Sequence, residues 1–126
     1  MEASRILVVD DEWIIRALIA QSLRDAGYDV AEAENGDIAA KLLDNNRFNV
    51  LVTDIHMPGQ LDGIALAERV RRQMLCPWVV FVTGRPDVIR RVIDGGLGDA
   101  ILSKPFMPEE VVKLIHQLLG PDEASH

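Results

Sequence analysis

Three short runs, Ile6–Val9, Val50–Thr53 and Val79–Val82, are almost wholly apolar and rich in β-branched residues. A strand with one solvated face alternates apolar and polar residues, whereas these runs do not alternate, which is the pattern of parallel strands buried on both faces. Parallel neighbours cannot be joined by a tight hairpin and need a crossover, so the intervening chain has to supply helices. The first intervening segment repeats Ile15, Leu18, Ile19, Ser22, Leu23 and Ala26 at spacings of three and four residues, with Gly27 where a left-handed cap is wanted. A second helix is predicted from Gly36 to Asn45, with Ile38, Ala39, Leu42 and Leu43 facing the core and Asn35 as N-cap. Ile64, Leu66, Ala67 and Val70 signal a third helix, and Val88, Ile89, Val92 and Ile93 a fourth before the Gly95–Gly96 break. Val111, Leu114, Ile115 and Leu118 form the stripe of a fifth, which follows Pro108 and ends at Gly120–Pro121. Two further strands, Asp29–Ala33 and Ala100–Ser103, complete five alternations. The class is therefore α/β, a doubly wound parallel sheet with helices on both faces.

A chain of 126 residues holds one such core, expected here over residues 1–120, with 121–126 (PDEASH) as a disordered tail. No stretch nears the roughly 18 uncharged residues that suggest a membrane span, and the run Ile6–Val9 stops at three acidic residues, unlike a signal peptide. A cytoplasmic protein without membrane association is expected, and the single Cys76 suits a reducing compartment as core filler. Thirteen Lys and Arg against twenty Asp and Glu give a formal charge of −7, which opposes direct nucleic-acid binding. The local groups Arg69, Arg71, Arg72 and Arg85, Arg90, Arg91 read as solvated helix faces.

In an open parallel sheet the functional crevice lies beyond the C-terminal strand ends. Here those ends carry Asp10–Asp11–Glu12, Asp54, Thr83–Gly84 and Ser103–Lys104–Pro105. Three aspartates converging without a counter-charge would raise one another's pKa and cost stability, a conflict that a divalent cation resolves. Oxygen-only donors suit Mg²⁺ better than zinc. Lys104 adds a second positive charge able to meet a phosphoryl oxygen, and the Thr83 hydroxyl can donate to another.

The ordered set VVDDE (8–12), VTDIHMP (52–58), VTG (82–84) and SKPF (103–106) resembles the response-regulator receiver family of two-component signalling, over Arg5 to Leu119. The resemblance implies a stand-alone, chemotaxis-regulator-like receiver with a flavodoxin-like sheet in the order 2-1-3-4-5. It implies Asp54 as phosphoacceptor, with Asp10, Thr83 and Lys104 as its catalytic neighbours. Mg²⁺ would be held by Asp11, Asp54 and the His56 backbone carbonyl, with Asp10 acting through water. Pro105 matches a proline preceded by a cis peptide bond, and Pro58 and Gly63 match the loop after the acceptor strand. A sensor histidine kinase or histidine phosphotransfer protein would donate the phosphoryl group, the domain itself catalysing that transfer and its later hydrolysis. Thr83 and the face of the fourth helix, fifth strand and fifth helix would then switch binding to a downstream protein, the domain being a monomer or weak dimer. A DNA-binding regulator continuing past His126 stays compatible with these residues.

Three positions depart from the family pattern. The loop Met57–Gly63 is one residue longer than usual and predicts a local bulge. Ile101 stands where many receivers carry Tyr or Phe, and His56 is read as an exposed loop side chain.

Overall fold

The structure, a computed structural model, describes residues 3–57, 59 and 61–120, apart from the side chains of Val88, Arg91 and Val92. Pro58 and the tail 121–126 lie outside the described residues. Strands and helices alternate as β1 (Arg5–Val9), α1 (Trp13–Asp25), β2 (Asp29–Ala33), α2 (Gly36–Asn45), β3 (Val50–Asp54), α3 (Gly63–Gln73), β4 (Trp78–Thr83), α4 (Pro86–Asp94), β5 (Ala100–Ser103) and α5 (Pro108–Leu119). The strands form one parallel sheet in the order β2-β1-β3-β4-β5. This is the doubly wound α/β architecture expected from the non-alternating runs, and β3 and β4 extend far enough to end on Asp54 and Thr83 themselves.

Each central strand feeds two cores because successive side chains point to opposite faces. Leu7, Val9, Leu51, Val79 and Phe81 pack with Ala39 and Leu43 of α2, Leu66 and Val70 of α3, and Ile89 of α4. Ile6, Val8, Val50, Val52, Val80 and Val82 pack on the other face with Ile19 and Leu23 of α1 and Val111 and Ile115 of α5. Fully burying one such side chain contributes roughly 1.5–3 kcal/mol, against about 1 kcal/mol for a helix cap. Packing therefore dominates, and the caps set where helices begin: Asn35 Oδ1 accepts from Ile38 N–H at 2.8 Å, and Asp62 Oδ1 from Ala65 N–H at 2.8 Å.

Several helix residues expected to face the core do not. Leu18 and Ile38 are exposed large hydrophobics, and Ala26 is exposed beyond the last turn of α1, while Ala20 and Ala40 are buried in their stead. A helix lying on a sheet buries a narrower arc than the i, i+3, i+4 set spans, so residues at the rim of that arc meet solvent. The lengthened loop turns at Gly59, whose φ is +105°. Among the described residues no helix is long and apolar enough to cross a membrane.

Candidate functional site

Strand register decides which residues meet. Val9 lies opposite Thr53, Asp54 opposite Val82, and Thr83 opposite Ser103. Asp10, Asp54, Thr83 and Lys104 therefore reach one edge of the sheet within a residue of one another. The Lys104 backbone N–H donates to Thr83 O at 2.8 Å, carrying the β4–β5 ladder past the strand ends, and the Lys104–Pro105 peptide is cis.

Asp10, Asp54 and Thr83 are buried despite their polarity, with relative exposures of 1%, 7% and 5%. Asp54 Oδ1 accepts from Ile55 N–H at 2.8 Å, and its Oδ2 lies 3.7 Å from Lys104 Nζ. Asp10 Oδ1 accepts from Glu12 N–H at 2.9 Å; its Oδ2, 3.8 Å from Lys104 Nζ, is buried and has no hydrogen-bond partner among the described residues. The same ammonium lies 3.5 Å from Glu12 Oε1. Thr83 Oγ1 accepts from Arg85 N–H at 2.9 Å.

One ammonium thus serves three carboxylates, and the titration behaviour reflects the shortfall. Burial pushes Asp10 up to about 6 from its ordinary 3.8, reinforced by the Asp54 charge and opposed by the Glu12 N–H and Lys104. Burial likewise raises Asp54, with Lys104 and the Ile55 N–H pulling down and the charges of Asp11 and Glu12 pushing up. For Lys104, burial favours the neutral amine, but Asp10, Asp54 and Glu12 together outweigh it and hold the group above its ordinary value. Carboxylate oxygens of Asp10, Glu12 and Asp54 lie within 4.8 Å of one another. A compact oxygen-only group, with one buried carboxylate oxygen lacking a donor and an excess of negative charge, fits a hard divalent cation such as Mg²⁺.

Close backbone approach frames this edge. Gly63 N–H donates to Ile55 O at 2.8 Å, and a Cβ on Gly63 would stand 2.0 Å from Asp54 O. A Cβ on Gly36 would stand 2.1 Å from Leu61 O, so the start of α2 packs directly on the loop that follows β3.

Of the residues singled out in the sequence, Asp10, Asp54 and Lys104 come into mutual contact and Thr83 shares their edge. Asp11 is exposed and bears on Asp54 through its charge; the His56 side chain is exposed. Glu12 was legible only as the third acid of a run. Its N–H closing back on Asp10 two residues earlier is a local turn that aspartate favours, and this i to i+2 pairing is the signal that could have brought it into the site.

The family model described as response regulator receiver domain matches residues 6–116. The transcriptional regulatory protein ResD of Bacillus subtilis is 40% identical over 119 residues, which cover 92% of this chain and 48% of ResD. The chain spans about half the length of the curated relatives it matches first. A CheY-like receiver domain protein from Methanospirillum hungatei superposes with a TM-score of 0.85 at 28% identity, covering 98% of each chain. Response regulator TrrA from Thermotoga maritima, in complex with Mg²⁺ and BeF, superposes with a TM-score of 0.80 at 30% identity, covering 91% of this chain and 98% of that one.

Proposed function

This chain belongs to the response regulator receiver family, and from that premise we propose that Asp54 accepts a phosphoryl group from a phosphohistidine of a sensor histidine kinase or histidine phosphotransfer protein. The observation that carries this reading is the division of labour within the Asp54 carboxylate. Oδ1 is tied to Ile55 N–H at 2.8 Å, so Oδ2, facing the Lys104 ammonium at 3.7 Å, is the oxygen left for attack. Oδ2 forms a bond to phosphorus as the phosphorus–nitrogen bond of the donor breaks, and the imidazole leaves with that electron pair. Lys104 meets the charge on the transferred group, and the Thr83 hydroxyl, which accepts from Arg85 N–H, has its own proton to donate there.

The oxygen-only group of Asp10, Glu12 and Asp54 supports Mg²⁺, which on this proposal is held by Asp11, Asp54 and the His56 backbone carbonyl, with Asp10 acting through water. When bound, the ion supplies positive charge to the phosphoryl oxygens that Lys104 cannot reach alone. TrrA, similar over nearly its whole length, is in complex with Mg²⁺ and BeF, which favours the same ion here. The same groups serve hydrolysis of the acyl phosphate, so the domain catalyses both its own phosphorylation and its own dephosphorylation. Residues 1–120 act as the receiver unit, in the cytoplasm, as a monomer or weak dimer without direct nucleic-acid contact. Its output is changed binding to a downstream protein through Thr83 and the α4–β5–α5 face.

Incubation with acetyl phosphate and Mg²⁺ tests the reading by intact mass. The wild type gains one phosphoryl group, the gain is lost with EDTA, and Asp54→Asn gains none because an amide is a poor nucleophile. Equal phosphorylation of Asp54→Asn would contradict it.

A further inference from the structure

Arg16 stands in the first turn of α1, where a cation opposes the positive end of the helix dipole. The residue preceding that helix, Glu12, makes no side-chain cap. What Arg16 does instead is fold back: Nη1 donates to Asp10 O at 2.8 Å, and Nε to Glu32 Oε1 at 3.3 Å. Glu32 is fixed in turn by Arg24, whose Nη1 reaches Glu32 Oε2 at 3.0 Å and whose Nη2 donates to Val30 O at 2.9 Å. On the other side of the Asp10 Cα, Asp10 N–H donates to Ala33 O at 3.2 Å. Both peptide planes flanking Asp10 are therefore held, one by Ala33 O and the other by the guanidinium that Glu32 orients. Two fixed planes fix φ and ψ, and with them the direction of the Asp10 Cβ and the path of Asp11 and Glu12. One constraint comes from Ala33 at the end of the edge strand β2, and the other from Arg16 of α1, which the adjacent Glu32 orients.

We propose that Arg16, oriented by Glu32, is a positioning residue that holds the acidic turn 10–12 in the geometry that receives Mg²⁺. The inference rests on the metal reading given above, and it adds a requirement that no carboxylate in the site supplies. Arg16 is suited to the task because its rigid planar fork aims donors at a carbonyl and a carboxylate in fixed directions, whereas an ammonium on a flexible stem is a point charge that fixes neither.

The test is Mg²⁺ affinity, measured calorimetrically on the metal-free 126-residue chain, alongside thermal midpoints. Partners that orient metal-binding groups typically change affinity by 10–100-fold, so Arg16→Ala should weaken Mg²⁺ binding by about tenfold. Arg16→Lys should recover part of that loss, and Glu32→Gln, which keeps the shape of its side chain, should weaken binding less than Arg16→Ala. The control is Arg5→Ala. Arg5 pairs with Asp29 at 3.2 Å, donates to Arg47 O at 3.3 Å and covers the Phe48 ring, all at the opposite end of β1. Arg5→Ala should lower the thermal midpoint and leave Mg²⁺ affinity unchanged. Wild-type affinity in both Arg16→Ala and Glu32→Gln, or an equal loss in Arg5→Ala, would overturn the proposal while the metal reading stands. Absence of Mg²⁺ binding by the wild type would overturn both.

Discussion

Asp10 shows at a single residue how the site trades stability for chemistry. Its carboxyl is buried, one oxygen accepts from the Glu12 N–H, and the other has no hydrogen-bond partner among the described residues, so burial pushes it up to about 6. A carboxyl raised in the folded state holds a proton that the unfolded chain has already released at the same pH. Metal-free stability therefore falls as pH rises from about 4 to about 6, and stays lower above that window. At one pK unit per 1.36 kcal/mol, the loss is on the order of 3 kcal/mol at neutral pH. Urea unfolding in EDTA across this range should show the wild type losing stability relative to Asp10→Asn, which has no such proton to release; parallel profiles would refute the account. The places of Asp10, Asp54, Thr83 and Lys104 on one edge of the sheet were legible in the sequence because each stands at the end of a recognisable strand. Those of Glu12 and Arg16 were not, since each depends on a fold-back contact, to Lys104 and to the Asp10 carbonyl, that no periodicity encodes.

Between elements, glycine and a single left-handed residue show where the backbone is under constraint. Gly63 begins α3 against the end of β3, where a methyl group would stand 2.0 Å from Asp54 O, a backbone atom that cannot rotate aside. Gly63→Ala should accordingly lower stability by about 1–3 kcal/mol, as overpacking does. Met74 closes α3 at φ 55° and ψ 44°, and its side chain is 89% exposed. Because it adopts a left-handed conformation that costs a side-chain-bearing residue and gains no burial in return, Met74→Gly should raise stability by about 0.5–1 kcal/mol. Thermal unfolding of the two variants should move in opposite directions, and a shared direction would show that one of these contacts has been misjudged. The three central strands could be read from non-alternating apolar runs and the helices from apolar periodicity with caps and breaks, whereas β2 and β5 are marked in the sequence chiefly by a glycine shortly before them. Ile19, Leu23, Ala39, Leu43, Leu66 and Val70 are buried as the periodicity predicts, but the rim of each arc is set by the helix's seat on the sheet, and Leu18 and Ile38 fall just outside it.

Across the whole molecule the question is how a change at Asp54 reaches the far face. Ile101 lies opposite Phe81 on adjacent strands, is half-buried, and packs against the core shared by α2, α3 and α4. Being branched at Cβ and already packed, it has little to gain from an inward rotation. On the function proposed above the route runs through Thr83 and the turn to α4, whose Arg85 N–H the Thr83 hydroxyl accepts at 2.9 Å. Beryllofluoride with Mg²⁺ should change amide hydrogen exchange over residues 84–94 in the wild type and in Ile101→Val, and leave it unchanged in Thr83→Ala. The reverse pattern would reject this route. The proposed signalling chemistry depends on which carboxylate takes the phosphoryl group, and borohydride trapping reports that directly, because reduction of an acyl phosphate leaves homoserine in place of aspartate. After treatment with acetyl phosphate and Mg²⁺, peptide mass spectrometry should find homoserine at position 54 and at none of Asp10, Asp11 or Glu12. Homoserine at position 10 or 11, or a reduced glutamate at position 12, with Asp54 intact, would contradict the central claim.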